Sequence, residues 1–150
     1  MDLMSLIVNN EDPMEIIILR NFETTSTVMG FHVYRSKWQP VIGQVLKTRM
    51  EPMNEVDKYA VAVLDDKENN VVGHLPKGQS GKYAKTIFYF LRSDPLNSCF
   101  VKVTGKAINM GDDKGMRIPC LLEFSGNGES IQHFKKIALY IVLFLRIKTI

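Results

Sequence analysis

Long apolar runs, cysteine pairs in number, internal repeats and low-complexity tracts are scarce or missing in this chain of 150 residues, and each gap removes a class of protein. The longest unbroken apolar run is the nine residues Ile137 to Leu145, where a membrane-spanning helix needs roughly 20. Met1 to Val8 is too short for a secretory leader, and Asp2 stands where a positive charge belongs. Cys99 and Cys120 are the only cysteines. A disulfide-stapled scaffold is therefore not expected, and an intracellular, reducing setting is. Each cysteine falls in an apolar stretch and reads as a small buried thiol.

Net charge is also small, and it is unevenly placed. The net charge is +3, yet residues 1–30 carry one Arg against five acids, whereas residues 31–126 carry 14 bases against 10 acids. Residues 127–150 add four bases against one acid. The acidic head masks a basic remainder, which permits contact with nucleic acid without demanding it, because phosphate-driven affinity depends on clustered bases. With 45% hydrophobic and 23% charged residues, the composition is that of one ordinary globular domain with a sizeable core.

The β-branched run through Ile16-Ile17-Ile18-Leu19 to Thr27 predicts a strand, and Phe31 to Arg35 alternates as another would. Val41 to Arg49 reads as a long strand in which Gly43 marks a bulge or close approach. Tyr59 to Leu64 is apolar on both faces, as a central strand is, and Val71 to Leu75 pairs back across a polar tip. Ser80 is placed to cap a helix to about Arg92, with Tyr83, Ala84, Ile87, Phe88 and Leu91 on one face. That stripe reads as core packing. Cys99 to Ala107 and Met116 to Phe124 form two more strands, and Pro119 is expected to put the second at an edge or bulge. Several short strands around one helix, without alternating βαβ units, argue for an α+β, mostly β domain: a small antiparallel barrel. Ser125 to Gly128 reads as an exit linker. For the apolar tail beyond it, a docking helix, an added edge strand, an interfacial anchor and a non-native extension all fit. The division expected is an extension over 1–29, a domain over 30–126, and a linker and apolar tail over 127–150.

Motifs of catalysis and metal binding fail on inspection. Pro76 to Tyr83 superficially suggests a phosphate loop, but Pro76 replaces the first Gly and Tyr83 the magnesium-binding hydroxyl residue. His32, His74, His133, Cys99 and Cys120 are scattered singly, without zinc-ligand spacing. Asp112-Asp113 lacks the further oxygens of a calcium loop and reads as a solvated hairpin tip. No catalytic residue, metal or cofactor is expected, and an enzyme is the least favoured class.

The informative stretch is Glu51 to Lys77. A turn with Asn54 and Asp57 before one strand, and His74 and Lys77 after its partner, can gather a carboxylate, an amide, an imidazole and an ammonium at one sheet end. A carboxylate is a poor choice against phosphate but a good acceptor for a sugar hydroxyl, so Asp57 can favour a free hydroxyl end over a phosphorylated one. His74 and Lys77 are then placed to meet backbone phosphates, and Tyr34 or Tyr59 to stack on a base. The phrase Gly30-Phe31-His32-Val33-Tyr34-Arg35, then Gly43, then Glu51-Pro52-Met53-Asn54-Glu55-Val56-Asp57 with Ala60-Val61, then Val72-Gly73-His74-Leu75, resembles the HIRAN domain over residues 30–126. The resemblance implies a compact OB-like barrel that recognises single-stranded DNA with a free 3′-hydroxyl, a module often attached to helicase-like ATPases. It implies DNA contacts at Asn54, Asp57, His74 and Lys77, with Tyr34 and Arg35 in a region of aromatic and basic contacts. Val56 stands where DNA-binding members can carry an aromatic, and Met53 where a second Asn can occur. The competing expectations are a protein-interaction module, through the edge strand at Pro119 or the tail, and a fragment of a larger DNA-processing protein.

Overall fold

The computed structural model describes residues 5–8, 16–34, 38–67, 69–78, 81–111 and 115–148. Its strands are β1 (Ser5–Val8), β2 (Ile16–Val28), β3 (Val45–Glu51), β4 (Ala60–Leu64), β5 (Val71–His74), β6 (Ser98–Val103), β7 (Ile108–Asn109) and β8 (Met116–Asn127). Two helices, α1 (Tyr83–Ser93) and α2 (Gly128–Lys148), complete it. The fold is α+β and mostly β, with every strand pair antiparallel. The sheet runs β1-β2-β8-β6-β3-β4-β5, and β7 pairs with β8 alone.

The sheet does not close into the barrel expected from the sequence. Its ladder ends at β5, and a single isolated bridge ties that edge to the residue after β2. There Met29 N–H donates to the His74 carbonyl at 2.8 Å, and His74 N–H to the Met29 carbonyl at 2.9 Å. The approach depends on Gly73, where a Cβ would sit 2.5 Å from Val28 Cγ1 and 2.7 Å from the Met29 oxygen. Pairing stops after one bridge because Gly30, with φ 80 and ψ 9, turns the chain out of the strand.

That turn also corrects the strand expected from Phe31. Phe31–Val33 is one turn of 3-10 helix, since Phe31 is drawn inward to meet Trp38 edge-on with ring centroids 5.9 Å apart. The strand expected from Val41 begins at Val45, because Val41 to Gln44 is a turn closed by Gln44 N–H on the Val41 carbonyl. β4 is buried along its whole length between β3 and β5, as a strand apolar on both faces should be. α1 buries Ala84, Ile87, Phe88 and Phe90. Its expected cap, Ser80, lies outside the described residues, as do Asp112 and Asp113.

β8 is not at an edge. It pairs with β2 from Leu19 opposite Asn127 to Val28 opposite Ile118, and with β6 on its other side. Pro119 falls where the partner changes from β6 to β7, so its missing N–H interrupts no ladder there, and Gly105 packs against its ring. Nor is Ser125 to Gly128 a linker loop: Ser125 and Gly126 are ladder residues opposite Asn21 and Arg20, and α2 starts at Gly128. Gly126 is a packing glycine, since a Cβ there would stand 2.0 Å from Asn97 Oδ1. The core therefore reaches beyond 30–126. Phe22 of β2, Phe124 of β8, Phe90 of α1 and Phe134 of α2 meet with ring centroids 4.5 to 6.1 Å apart. No helix among the described residues is long and apolar enough to cross a membrane.

Candidate functional site

Asn54 builds the turn that leads from β3 into β4. Its Oδ1 accepts the backbone N–H groups of Val56 at 2.9 Å and Asp57 at 3.0 Å, and its Nδ2 donates to Glu51 Oε1 at 3.2 Å. These are the local bonds that make Asn a turn former. Backbone bonds from Asn54 N–H to the Glu51 carbonyl and from Ala60 N–H to the Asp57 carbonyl, each 3.1 Å, close the loop on both sides.

The turn holds Asp57 with one oxygen committed and one available. Oδ1 accepts the Tyr59 N–H at 2.9 Å, while Oδ2 faces Lys77 Nζ at 3.9 Å. The carboxylate is 19% exposed and the lysine 58%, so Asp57 sits in the wall and the ammonium remains hydrated. Lys77 arrives by way of β5 and a bend whose Lys77 carbonyl accepts the first amide of α1, Tyr83 N–H, at 2.9 Å.

Glu51 joins the two halves. Its Oε1 lies 2.6 Å from His74 Nε2 while also accepting from Asn54. A carboxylate there only accepts, so Nε2 carries the hydrogen and His74 is fixed in both ring orientation and tautomer. One polar chain thus runs from His74 through Glu51 and Asn54 to the backbone of Asp57, and on to Lys77.

Asn54, Asp57, His74 and Lys77 line one open groove of about 1000 Å³. It is also lined by Thr25, Ser26 and Thr27 near the end of β2, by Met29 and Gly30 just beyond it, by Arg117 of β8 and by Tyr83 of α1. Burial pushes the Tyr83 phenol above its ordinary value, against a hydrogen bond with Ser26 that pulls it down. Val56, 88% exposed, stands on the rim.

The remaining expected residues lie elsewhere. Tyr34 is partly buried behind His74, ring centroids 6.4 Å apart, and does not line the groove. Arg35 lies outside the described residues. Tyr59 faces away, packing edge-on against Phe88 and beside Tyr89, each at 5.5 Å. The Tyr89 hydroxyl donates to that of Tyr59 at 3.4 Å. That bond, helped by Lys58 and Lys85, holds the Tyr59 phenol below its ordinary value and pushes Tyr89 above. Two polar residues of the site were missed from the sequence: Glu51, which ties His74 to the turn, and Arg117, which lines the groove. Glu51 could have been found as the acid three positions before Asn54, opening the same phrase. Arg117 carries no signal beyond being a lone base in an apolar strand. Among the described residues no three His, Cys, Asp or Glu side chains gather as a metal site.

No protein-family model matches this chain, and no curated protein matches it. Among solved structures, the crystal structure of the HIRAN domain of human HLTF aligns with a TM-score of 0.56 and 21% identity, covering 75% of this chain and 82% of that one. A structural-genomics protein from Lactobacillus plantarum aligns with a TM-score of 0.45 and 16% identity, covering 71% of this chain and 99% of that one. At these identities the likeness concerns architecture: the chain has a HIRAN-like fold.

Proposed function

We propose that the chain is a non-catalytic module that binds single-stranded DNA and reads a free 3′-hydroxyl end in the groove around Asp57. The observation carrying this reading is the half-used carboxylate in the groove wall, flanked by Lys77 and by a His74 locked through Glu51. A hydroxyl placed at Asp57 Oδ2 donates to it. A terminal phosphate in the same place brings like charge against the carboxylate and is rejected. Lys77 supplies a mobile phosphate contact, and His74 a ring in fixed orientation. The HIRAN-like fold adds support as analogy.

The reading through a protein partner at Pro119 has lost its strand edge, because β8 is interior. The test is a fluorescence polarisation titration of a short labelled oligonucleotide against the wild type and Asp57→Ala. The variant should remain folded and lose most affinity for the free 3′-hydroxyl end. Wild-type affinity in a folded Asp57→Ala would overturn the assignment.

A further inference from the structure

Arg117 has no place in the end-reading chemistry, and its surroundings are unusual. Its Nε is buried with no hydrogen-bond partner among the described residues. A guanidinium is charged at any physiological pH, and leaving a buried donor of a charged group unmet is costly. The two acids of the neighbouring polar chain have nearer partners than Arg117: Glu51 pairs with His74, and Asp57 Oδ2 faces Lys77 at 3.9 Å. On the β2 side the groove is lined by Thr25 and Thr27, which share the sheet face of Arg117, while Ser26 falls on the other face and bonds Tyr83. Thr27 lies opposite Pro119, two residues along β8 on the face that carries Arg117. An arginine fork beside hydroxyl donors, with no carboxylate paired to it among the described residues, is suited to a tetrahedral oxyanion.

We infer that Arg117 and the Thr25 and Thr27 hydroxyls form a phosphate subsite, which holds an internucleotide phosphate of the strand whose terminus lies at Asp57. This rests on the end-reading proposal for its ligand, and adds a polarity to it. The terminal sugar meets the turn, and the strand's backbone crosses the groove to β2 and β8. Two cationic contacts, Lys77 and Arg117, then neutralise phosphates, and for single strands log affinity falls with log salt by about 0.7 per contact.

The experiment titrates a labelled oligothymidylate with a free 3′-hydroxyl into wild type, Arg117→Gln and Arg117→Lys across a salt series, with thermal melts to confirm folding. Arg117→Gln should weaken binding about tenfold and make the salt slope shallower by about 0.7, while Arg117→Lys retains the slope. A folded Arg117→Gln with wild-type affinity and slope overturns the subsite. Should open and 3′-phosphorylated ends bind equally while Arg117→Gln still loses slope, end reading fails and the subsite stands. If the wild type binds no oligonucleotide, inorganic phosphate decides. A saturating shift of the Arg117 Nε resonance supports the subsite, and none overturns it.

Discussion

Replacing Asn54 with alanine tests whether the site is built by its turn. The substitution removes two acceptor bonds, to the Val56 and Asp57 amides at 2.9 and 3.0 Å, and the donor bond to Glu51 at 3.2 Å. A net hydrogen bond contributes about 0.5–1.5 kcal/mol, and the exposed Val56 amide, which can turn to water, belongs at the low end. The sum is roughly 1.5–3.5 kcal/mol, which at about 2–4 °C per kcal/mol for a chain of this size lowers Tm by roughly 3–14 °C. The effect on binding comes from the two carboxylates. Glu51 loses one of the bonds that hold it against His74, and Asp57 loses the anchor of its amide, so affinity for a free 3′-end should fall about tenfold, or about 1.4 kcal/mol. Asn54→Asp separates the two roles. It keeps the acceptors for both amides but sets a second negative charge where Nδ2 stood 3.2 Å from Glu51 Oε1, a repulsion of about 1 kcal/mol even at the dielectric of water. Urea unfolding gives the stability change and polarisation the affinity. If Asn54→Ala leaves both unchanged, the turn does not organise the site and the reasoning fails.

Three further outcomes follow from the same geometry. Val56→Tyr loses no packing, since Val56 is 88% exposed on the groove rim, and base stacking is worth about 1–3 kcal/mol; oligonucleotide affinity should rise on the order of tenfold, and an unchanged affinity would refute the placement of a base there. Gly126→Ala drives a Cβ into Asn97, whose side chain donates to the Phe90 carbonyl and Ser93 Oγ and accepts the Asn127 N–H; unfolding measurements should show a loss of about 2–4 kcal/mol from overpacking and broken bonds, and a neutral result would contradict the packing described. Burial pushes the Cys120 thiol up to about 12 and raises Cys99 as well. Both should resist a thiol reagent at neutral pH until the protein unfolds. Because the unfolded thiols ionise first, the native state holds more protons above the ordinary thiol value, and stability should fall as pH rises from about 9; a flat alkaline profile would contradict their burial.

The centre of the site was legible because its chemistry is local. Asn54 and Asp57 form their own turn through bonds spanning two or three residues, and β4 and β5 announce themselves by composition, so His74 returns to the turn once the hairpin closes. What was not legible depends on distant partners. Pro119 signals an edge by its own chemistry, yet it sits harmlessly where β6 gives way to β7. Ser125-Gly126 has the composition of a linker, but Asn97 occupies the space a side chain would need. Phe31 alternates like a strand residue until Gly30 turns the chain and Trp38 captures the ring. Tyr59 has the ring a base would stack on, but α1 claims it through Phe88 and Tyr89. Nothing in the sequence predicted that Ile16–Val28 would flank β8 and so line the groove with its end.

The central claim is that one wall carboxylate distinguishes a sugar terminus from a phosphorylated one. It is tested most directly by the affinity of the unmodified protein for two oligonucleotides identical except at the 3′-end, one hydroxyl and one phosphate. The geometry at Asp57 and Lys77 predicts at least about tenfold tighter binding of the hydroxyl form, or about 1.4 kcal/mol. Equal binding of the two would contradict the account.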